Sequence, residues 1–440
     1  MESLVNIINN GSFPSLDDAS LIQLLYQAFA SEIDRLKRVP PRHEGDGSPP
    51  RGSLGAEGLT PSRLLFGEDF CEVNRSITNI LAVRWVLADQ YDALTLGQSP
   101  TLRLSRDTFC AFQAYAQPIL AHPEQCLALV VALIVGDMGK DPQMEDDVAA
   151  KREGKEPGNR NHDELLAHAV AVGLLDAPLG ILPAPQRRDV ILGIDVGATL
   201  NIPQLMQGEN VPGSLQCILR FQDNPSAFHL KYLEILFDVA GSAAHLDARG
   251  AVSMIEPVCR SILQALPILE EVIAGRTSLR QAYDHVLQNR GQMLAAKGFS
   301  SLSTDSPSDR ALLRVLAMGR VADPLLAEQF QDAFYSLPDA TRSALVHGLN
   351  ADGCEDEPAV VLYYMPSVFV EALRVLHDAQ RQTRQTALHS LMGFMARTLQ
   401  VSLDGGDWIV ERDVSPVREI VASPAFCQDP HILDDYVLEQ

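Results

Sequence analysis

Residues 126–142 read CLALVVALIVGDMGKDP, an apolar run that ends directly in charged side chains. The run is too short to cross a bilayer, so its apolar character indicates a helix inside a protein core. A carboxylate at the end of a buried helix costs several kcal/mol unless a cation, a metal ion or several hydrogen-bond donors compensate it. The stretch therefore predicts a buried helix that delivers Asp137, Lys140 and Asp141 to a candidate functional site.

The rest of the sequence repeats the helical spacing of apolar residues and shows almost no strand-like alternation. Segments with this spacing include LIQLLYQAFASEIDRL (21–36), ITNILAVRWVLADQYDAL (77–94), HLKYLEILFDVAGSAAHL (229–246) and VFVEALRVLHDAQRQTRQTALHSLMGFMARTL (368–399). Such amphipathic helices must bury their apolar faces against one another. The sequence therefore predicts an all-α fold, a multi-helix bundle.

Changes in composition divide the chain into four portions. An N-terminal helix is predicted for residues 1–38, followed at 39–62 by a loop rich in Pro, Gly and Ser that lacks a hydrophobic face and is expected to be mobile. Residues 63–298 form a predicted helical core that contains the active site. A polar hinge then leads to a C-terminal helical portion at 311–440.

The composition limits the partners of the protein. Of its 440 residues 46% are hydrophobic, which is enough for a large core, and its net charge of −22 repels phosphate backbones and membrane surfaces. A nucleic-acid partner therefore requires a local basic patch. The candidate patch in the central loop comprises Lys151, Arg152, Lys155 and Arg160. A second candidate runs from Arg35 to Arg42, and for both patches ordinary solvated surface charge is the simpler interpretation.

The motifs that the sequence lacks argue against several common classes of protein. The sequence contains no GxSxG, Walker, GxGxxG or HExxH pattern, which argues against the commonest hydrolases, nucleotide-binding proteins and dehydrogenases. Seven cysteines are scattered without CxxC spacing, which favours reduced thiols in a cytoplasmic protein. Neither an export signal nor a membrane-spanning segment is evident, so we expect no membrane partner.

Polar side chains occur at positions where the helical spacing predicts burial. Glu234, Asp238 and His245 form a polar stripe on an otherwise apolar helix, and three polar groups on one face require a shared explanation. A stretch broken by Gly and Pro, 194–215, carries further polar residues and is typical of a loop that lines a pocket. The candidate catalytic residues are Asp137, His162, Asp163, Glu164, Asp238 and His245.

Two kinds of chemistry fit these residues, and a structural role remains the third alternative. Carboxylates and imidazoles from several helices can hold a divalent metal ion that activates water or oxygen. Clustered carboxylates can instead bind a guanidinium or ammonium group while an imidazole acts as a general base, with no cofactor. A non-catalytic helical scaffold would use the same polar stripes only for ion pairing.

The run LALVVALIVGDMGKD resembles the central helix of the HD-domain superfamily, and FDVAGSAAH resembles the later helix that supplies the last metal-binding aspartate of that family. This resemblance implies an HD-domain-like helical core and a metal-dependent hydrolase or oxygenase that acts on a small molecule. Its metal ligands would be Asp137, His162, His168 and Asp238. Gly136 stands where that family has the histidine of its His-Asp pair.

The motifs GDMGKDP, NHDELLAHA, NIPQLMQGENVPGSL and FDVAGSAAH together resemble the arginine-containing cyclodipeptide synthases. These enzymes of secondary metabolism condense two aminoacyl-tRNAs into a diketopiperazine. The DDxxE motif of that family does not occur as such; the nearest run is Asp434 to Glu439. The resemblance implies an acidic pocket for an arginyl side chain, formed by Asp137, Asp163, Glu164 and Asp238.

In this interpretation His162 or His245 is the base, and the central-loop patch binds tRNA phosphates. Aminoacyl esters arrive already activated, so the lack of a nucleotide-binding loop is expected. Both enzymatic interpretations require that the carboxylates and imidazoles near positions 137, 162 and 238 lie together between helices.

Overall fold

A computed structural model describes residues 2–41, 48–152, 161–400 and 408–438. The predicted all-α, multi-helix class is confirmed. The first half contains α1 (Glu2–Asn9), α2 (Asp18–Ala28), α3 (Ala30–Leu36), α4 (Pro61–Phe66), α5 (Cys71–Leu87), α6 (Tyr91–Leu94), α7 (Arg106–Leu120), α8 (Pro123–Val135), α9 (Met144–Lys151), α10 (His162–Ala171), α11 (Asp176–Leu179) and α12 (Ala184–Gly197). The second half contains α13 (Ile202–Met206), α14 (Pro225–Gly241), α15 (Glu256–Ile273), α16 (Leu279–Ala295), α17 (Pro307–Met318), α18 (Pro324–Ser336), α19 (Asp339–Asn350), α20 (Met365–Val375), α21 (Arg381–Thr398), α22 (Pro416–Ala422) and α23 (Pro424–Gln428).

Short 3-10 turns and two β-strands accompany the helices in the described part of the chain. Turns of 3-10 helix lie at Phe13–Ser15, Met138–Lys140, Pro212–Phe221 and Pro430–Leu433. Strands β1 (Ala359–Tyr363) and β2 (Ile409–Asp413) pair in parallel, with Ala359 opposite Ile409.

Contacts divide the chain into two compact units. The first unit comprises Met1–Thr199 and Arg220–Leu263, and the second comprises Leu200–Leu219 and Gln264–Gln440. The division falls within α15 rather than in the polar hinge expected at 298–310, because α16 packs against α17 across that hinge. A polar segment between two helices can be an ordinary turn inside one core.

The N-terminal portions also differ from their predicted outlines. Residues 2–36 form three helices instead of one, interrupted by a 3-10 turn and by Phe29 with φ −129°. Within the segment predicted to be a mobile loop, residues 42–47 lie outside the described part of the chain. The remainder makes specific contacts. The backbone of Arg51 forms an isolated parallel β-bridge with the backbone of Asp247, and Thr60 is buried at the start of α4. Its mobility stays a prediction.

Helix α8 lies in the core of the first unit, as the opening stretch predicts. Every residue from Cys126 to Val135 is at most 4% exposed. Helix α14 packs against α5, α8 and α12. It approaches α5 closely because Gly241 has no side chain: a Cβ there would lie 2.2 Å from the backbone oxygen of Arg75. The backbone N–H of Gly241 donates to Asn79 Oδ1 at 2.7 Å, which fixes the end of α14 on α5.

Two buried arginines organise the second unit. Arg310 and Arg314 lie on α17 with no more than 1% exposure. Arg314 donates to the backbone oxygens of Gly208, Asn210 and Leu349. Part of the stretch predicted to line a pocket is therefore a buried loop whose carbonyl groups are satisfied by an arginine, since buried carbonyl groups require hydrogen-bond donors.

Among the described residues, no single helix is long and apolar enough to cross a membrane, and only the pair Arg106–Leu120 and Pro123–Lys140, bent by 112°, satisfies length and composition limits jointly.

Candidate functional site

Two helices of the first unit place charged side chains on facing surfaces. Helix α5 presents Glu72, Arg75 and Asn79, and helix α14 presents Lys231, Glu234 and Asp238. In each helix the three residues follow intervals of three and four, which puts them on one face. Because α5 and α14 pack together, these two faces meet.

Asp137 lies at the centre of the buried charges. The carboxylate is 7% exposed; its Oδ2 is 2.9 Å from Arg75 Nε and its Oδ1 is 2.6 Å from Lys140 Nζ. Lys140 Nζ also lies 2.9 Å from Glu72 Oε2. Burial alone would raise the pKa of Asp137, but Arg75, Lys140 and the neighbouring His162 hold it well below its usual value. The free-energy cost of burying the Asp137 carboxylate, which the sequence predicts, is thus compensated by two cations.

Arg75 connects the two aspartates that the sequence singled out. Its Nη2 is 2.6 Å from Asp238 Oδ2 and its Nε is 3.2 Å from Asp238 Oδ1, in addition to the contact with Asp137. Asn79 Nδ2 donates to the same Asp238 Oδ1 at 3.0 Å. Burial opposes the charge of Arg75, but Asp137, Asp238 and Glu72 raise its pKa well above the usual value. One guanidinium therefore orients both carboxylates.

A second ion pair lies beside this one on α14. Lys231 Nζ is 2.8 Å from Glu234 Oε1. The lysine side chain lies along α12, where a Cβ on Gly197 would be 2.9 Å from its Nζ. Burial raises the pKa of Glu234; Lys231 lowers it, and the negative charges of Asp238 and Asp163 raise it further. Asp163 on α10 is therefore close enough to act on the α14 carboxylates.

Helix α10 begins beside the turn that carries Asp137. A Cβ on Gly139 would lie only 1.9 Å from the backbone oxygen of His162, so glycine permits this approach. Asn161 Oδ1 caps the helix and accepts from the backbone N–H groups of Asp163 and Glu164 at 3.0 and 2.9 Å. His162 Nε2 is 3.4 Å from Asp163 Oδ1. The members of this charged cluster are Glu72, Arg75, Asp137, Lys140, His162, Asp163, Lys231, Glu234 and Asp238.

The structure thus brings four of the six candidate catalytic residues together in the charged cluster: Asp137, His162, Asp163 and Asp238. Glu164 follows Asp163 in the first turn of α10 and is half-buried. The predicted continuation of the helical stripe to His245 is wrong, because α14 ends at Gly241.

The predicted metal-binding set is not formed. Among the residues that the structure describes, no three His, Cys, Asp or Glu side chains are arranged to hold a metal ion. Asp137 and Asp238 instead face the guanidinium of Arg75, and His168 Nδ1 contacts the guanidinium of Arg152. A divalent cation would have to displace fixed positive charges, so these donors do not fit the metal that the HD-domain resemblance implies.

The side chains of the two candidate basic patches lie in different surroundings. Lys151 is exposed at the end of α9, whereas Arg152 is half-buried against His168. Lys155 and Arg160 lie outside the described residues. In the other patch, Arg35 and Arg38 both pair with the buried Asp141, so these two arginines serve ion pairing inside the first unit.

Sequence reasoning missed Glu72 and two of the three cations of the cluster, Arg75 and Lys231. A signal was present: Glu72, Arg75 and Asn79 have the same spacing on α5 as Lys231, Glu234 and Asp238 have on α14. Two apolar helices with matching polar faces favour direct pairing of those faces.

A family model described as a family of unknown function (DUF6829) matches residues 22–433. The chain belongs to the DUF6829 family. The match includes every element that carries the charged cluster. No curated protein and no solved structure matches the chain. Because the description of DUF6829 names no activity, a function can be assigned only from the chemistry of the cluster.

Proposed function

We propose that this chain is a cytoplasmic biosynthetic enzyme that condenses two aminoacyl groups delivered by tRNA, one of them arginyl, into a cyclic dipeptide. The observation that carries the proposal is an excess of carboxylates at the exposed side of the charged cluster. The most exposed side chains of the cluster are Asp238 at 41% and Asp163 at 33%, followed by His162 at 32%. The cations Arg75, Lys140 and Lys231 are all less exposed.

This charge distribution favours a cationic ligand. Five carboxylates of the cluster, Glu72, Asp137, Asp163, Glu234 and Asp238, outnumber its three cations. Carboxylates bind guanidinium groups through paired, charge-assisted hydrogen bonds. Arg75 provides an example inside the protein, since its guanidinium contacts both Asp137 and Asp238. We assign the arginyl side chain of the substrate to the exposed carboxylates Asp163 and Asp238, with Glu164 beside them.

The reaction needs a proton acceptor but no cofactor. The α-amino nitrogen of one aminoacyl ester attacks the ester carbonyl carbon of the other; a C–N bond forms, the C–O bond to the ribose breaks, and the ribose oxygen leaves as a hydroxyl. A second attack of the same kind closes the ring and releases the second tRNA. His162, next to the carboxylate of Asp163, is the base that accepts the amine proton. The reaction needs no oxidant, because no oxidation state changes, and it needs no ATP, because both esters arrive activated.

Expression of the wild-type chain in a bacterial host, which supplies charged tRNAs, is expected to yield arginine-containing diketopiperazines detectable by mass spectrometry. Asp163→Asn should reduce the yield about 10- to 100-fold, because a charged hydrogen bond to the substrate is worth about 1.5–3 kcal/mol. Asp89→Asn is the matched control, since Asp89 is an exposed aspartate of the same unit paired with Arg106. A well-expressed, soluble wild-type protein without such products would contradict the proposal.

Replacing Lys151, Arg152, Lys155 and Arg160 together by glutamate is expected to weaken tRNA binding and to flatten its dependence on salt. Each lost phosphate contact should reduce the salt slope by about 0.7–0.9. The control has the same charge change at exposed arginines of the first unit that already pair with carboxylates: Arg106, Arg187, Arg220 and Arg260. An unchanged slope in the first variant, measured by filter binding, would exclude the patch as the tRNA contact.

A further inference from the structure

We propose that Asn79 is a positioning residue for the carboxylate of Asp238: it holds one oxygen of that carboxylate and thereby directs the other oxygen to a guanidinium group. The inference rests on the proposed function for its ligand, because that function assigns the arginyl side chain of the substrate to Asp238. Asn79 lies on α5 and is 1% exposed, so it acts on a ligand only through Asp238.

The orientation of the Asn79 amide follows from the backbone of α14. The backbone N–H of Gly241 donates to Asn79 Oδ1 at 2.7 Å. Since a backbone N–H can only donate, the amide oxygen faces Gly241 and the amide nitrogen faces away from it. A Cβ on Gly241 would lie 2.5 Å from Asn79 Oδ1, so glycine leaves room for this contact. The helix backbone therefore determines which end of the amide faces Asp238.

The amide nitrogen holds one oxygen of Asp238. Asn79 Nδ2 donates to Asp238 Oδ1 at 3.0 Å. Asp238 and Gly241 are about one turn apart on α14, so a single side chain of α5 binds both of them. Because Asn79 is buried, water does not compete for either hydrogen bond. Asn79 thus ties the carboxylate of Asp238 to the backbone at the end of its own helix.

Arg75 alone would hold this oxygen only weakly. The single hydrogen on Arg75 Nε faces two carboxylates, since Nε is 2.9 Å from Asp137 Oδ2 and 3.2 Å from Asp238 Oδ1. The shorter contact is the one with Asp137, so the hydrogen bond to Asp238 Oδ1 is the weaker of the two. Arg75 Nη2 donates instead to Asp238 Oδ2 at 2.6 Å. Asn79 is therefore the main donor that fixes Oδ1.

These hydrogen bonds leave one acceptor position on Asp238. An ionised carboxylate has about four lone-pair positions on its two oxygens. Among the described residues, Oδ1 accepts from Asn79 and Arg75, and Oδ2 accepts from Arg75 alone. The side chain of Asp238 is nonetheless 41% exposed, whereas that of Arg75 is 15% exposed. The remaining position, on Oδ2, is the one through which Asp238 can bind a cation from solvent.

A guanidinium group depends on how this carboxylate is turned. Its planar nitrogens donate in fixed directions, and hydrogen bonds weaken steeply when donor and acceptor are misaligned. Rotation of the Asp238 carboxylate would move Oδ2 away from the ligand. Because the two oxygens turn together, a hydrogen bond that fixes Oδ1 also fixes Oδ2. Asn79 thereby contributes to the affinity for a guanidinium group without touching it.

The test compares L-arginine methyl ester with L-citrulline methyl ester, which has nearly the same shape but carries a neutral urea in place of the guanidinium. Titration calorimetry with the full-length protein measures the affinity of each ester, and the ratio of the two affinities reports on the carboxylate contacts. The wild type is expected to bind the arginine ester about 10-fold more tightly or better, the value of a charged hydrogen bond. Asn79→Leu should lower this ratio by roughly 2- to 10-fold, the value of one neutral hydrogen bond.

Asn74→Leu is the matched control. Asn74 is another buried asparagine of α5, and its Oδ1 accepts from the backbone N–H of Ser62 at 2.8 Å. Both variants remove an acceptor for a backbone N–H, so both should lower the unfolding midpoint, but only Asn79→Leu should lower the affinity ratio. Asn79→Ser, whose shorter side chain cannot span Gly241 and Asp238, takes the place of Asn79→Leu if that variant does not fold.

An affinity ratio that the Asn79 variant leaves unchanged, or that Asn74→Leu lowers equally, would overturn the inference. A wild type that does not prefer the arginine ester would overturn it as well. Failure of the proposed reaction gives a different result: a ratio that depends on Asn79, in a protein that yields no diketopiperazine, supports the role of Asn79 and contradicts only the reaction. Arginine-containing diketopiperazines together with a ratio insensitive to Asn79 contradict only the role of Asn79.

Discussion

Replacement of Arg75 by methionine is expected to lower the free energy of unfolding by about 3–5 kcal/mol, because it removes a cation from the buried carboxylate of Asp137 and from the partly exposed carboxylate of Asp238. Asp137 loses one of its two cationic partners, and Asp238 loses both guanidinium contacts. Denaturant unfolding followed by circular dichroism measures the change. Arg106→Met is the control: it removes an exposed arginine of the same unit, paired with an exposed aspartate, and should cost at most about 1 kcal/mol.

The pH dependence identifies the origin of the loss. The pKa of Asp137 is lowered in the folded wild type, so its stabilising contribution is present above the unfolded value of 3.8 and is lost as the pH falls through the folded pKa. Without Arg75 the folded pKa rises, and protonation of Asp137 at acidic pH removes the uncompensated charge. The difference between Arg75→Met and wild type should therefore shrink on acidification. A loss that is independent of pH would point to packing rather than to charge.

Glu209→Gln is expected to stabilise the protein by roughly 3 kcal/mol at pH 7, since each pKa unit corresponds to about 1.4 kcal/mol. The pKa of Glu209 rises from 4.5 to about 8 on folding, chiefly through burial. Between these values the folded state binds a proton that the unfolded state has released, so wild-type stability falls as the pH rises and becomes level above about 8. Glutamine keeps an oxygen for the Tyr364 N–H and removes the titration.

Denaturant unfolding at a series of pH values between the two pKa values measures this effect. The stabilisation by Glu209→Gln should be near zero at the acidic end and grow steadily with pH. Glu328→Gln, at an exposed position of the same unit, should give no such trend. A stabilisation of equal size at every pH would contradict the assignment of the effect to the proton on Glu209.

The sequence located part of the candidate site. Asp137 and Asp238 were found because a charged residue stands out on an apolar helix, and the structure places both against Arg75. The chemical meaning of the site was not predictable in the same way. A pair of aspartates and a histidine is compatible with a metal site or a guanidinium site, and the choice depends on which cations the folded chain brings between them. His245 shows the limit of periodicity, since a stripe extrapolated along a sequence continues past the residue where the helix ends.

The sequence by itself determined the all-α class, the burial of the helix from Cys126 to Val135, and the requirement that Asp137 be compensated, because apolar periodicity and the cost of burying charge are local properties. Only the tertiary structure decided which groups compensate it. Arg75 and Asp238 are separated by more than half of the first unit in sequence and meet because Gly241 lets α14 approach α5. Long-range pairing of this kind depends on how buried faces fit, which is a property of the whole core.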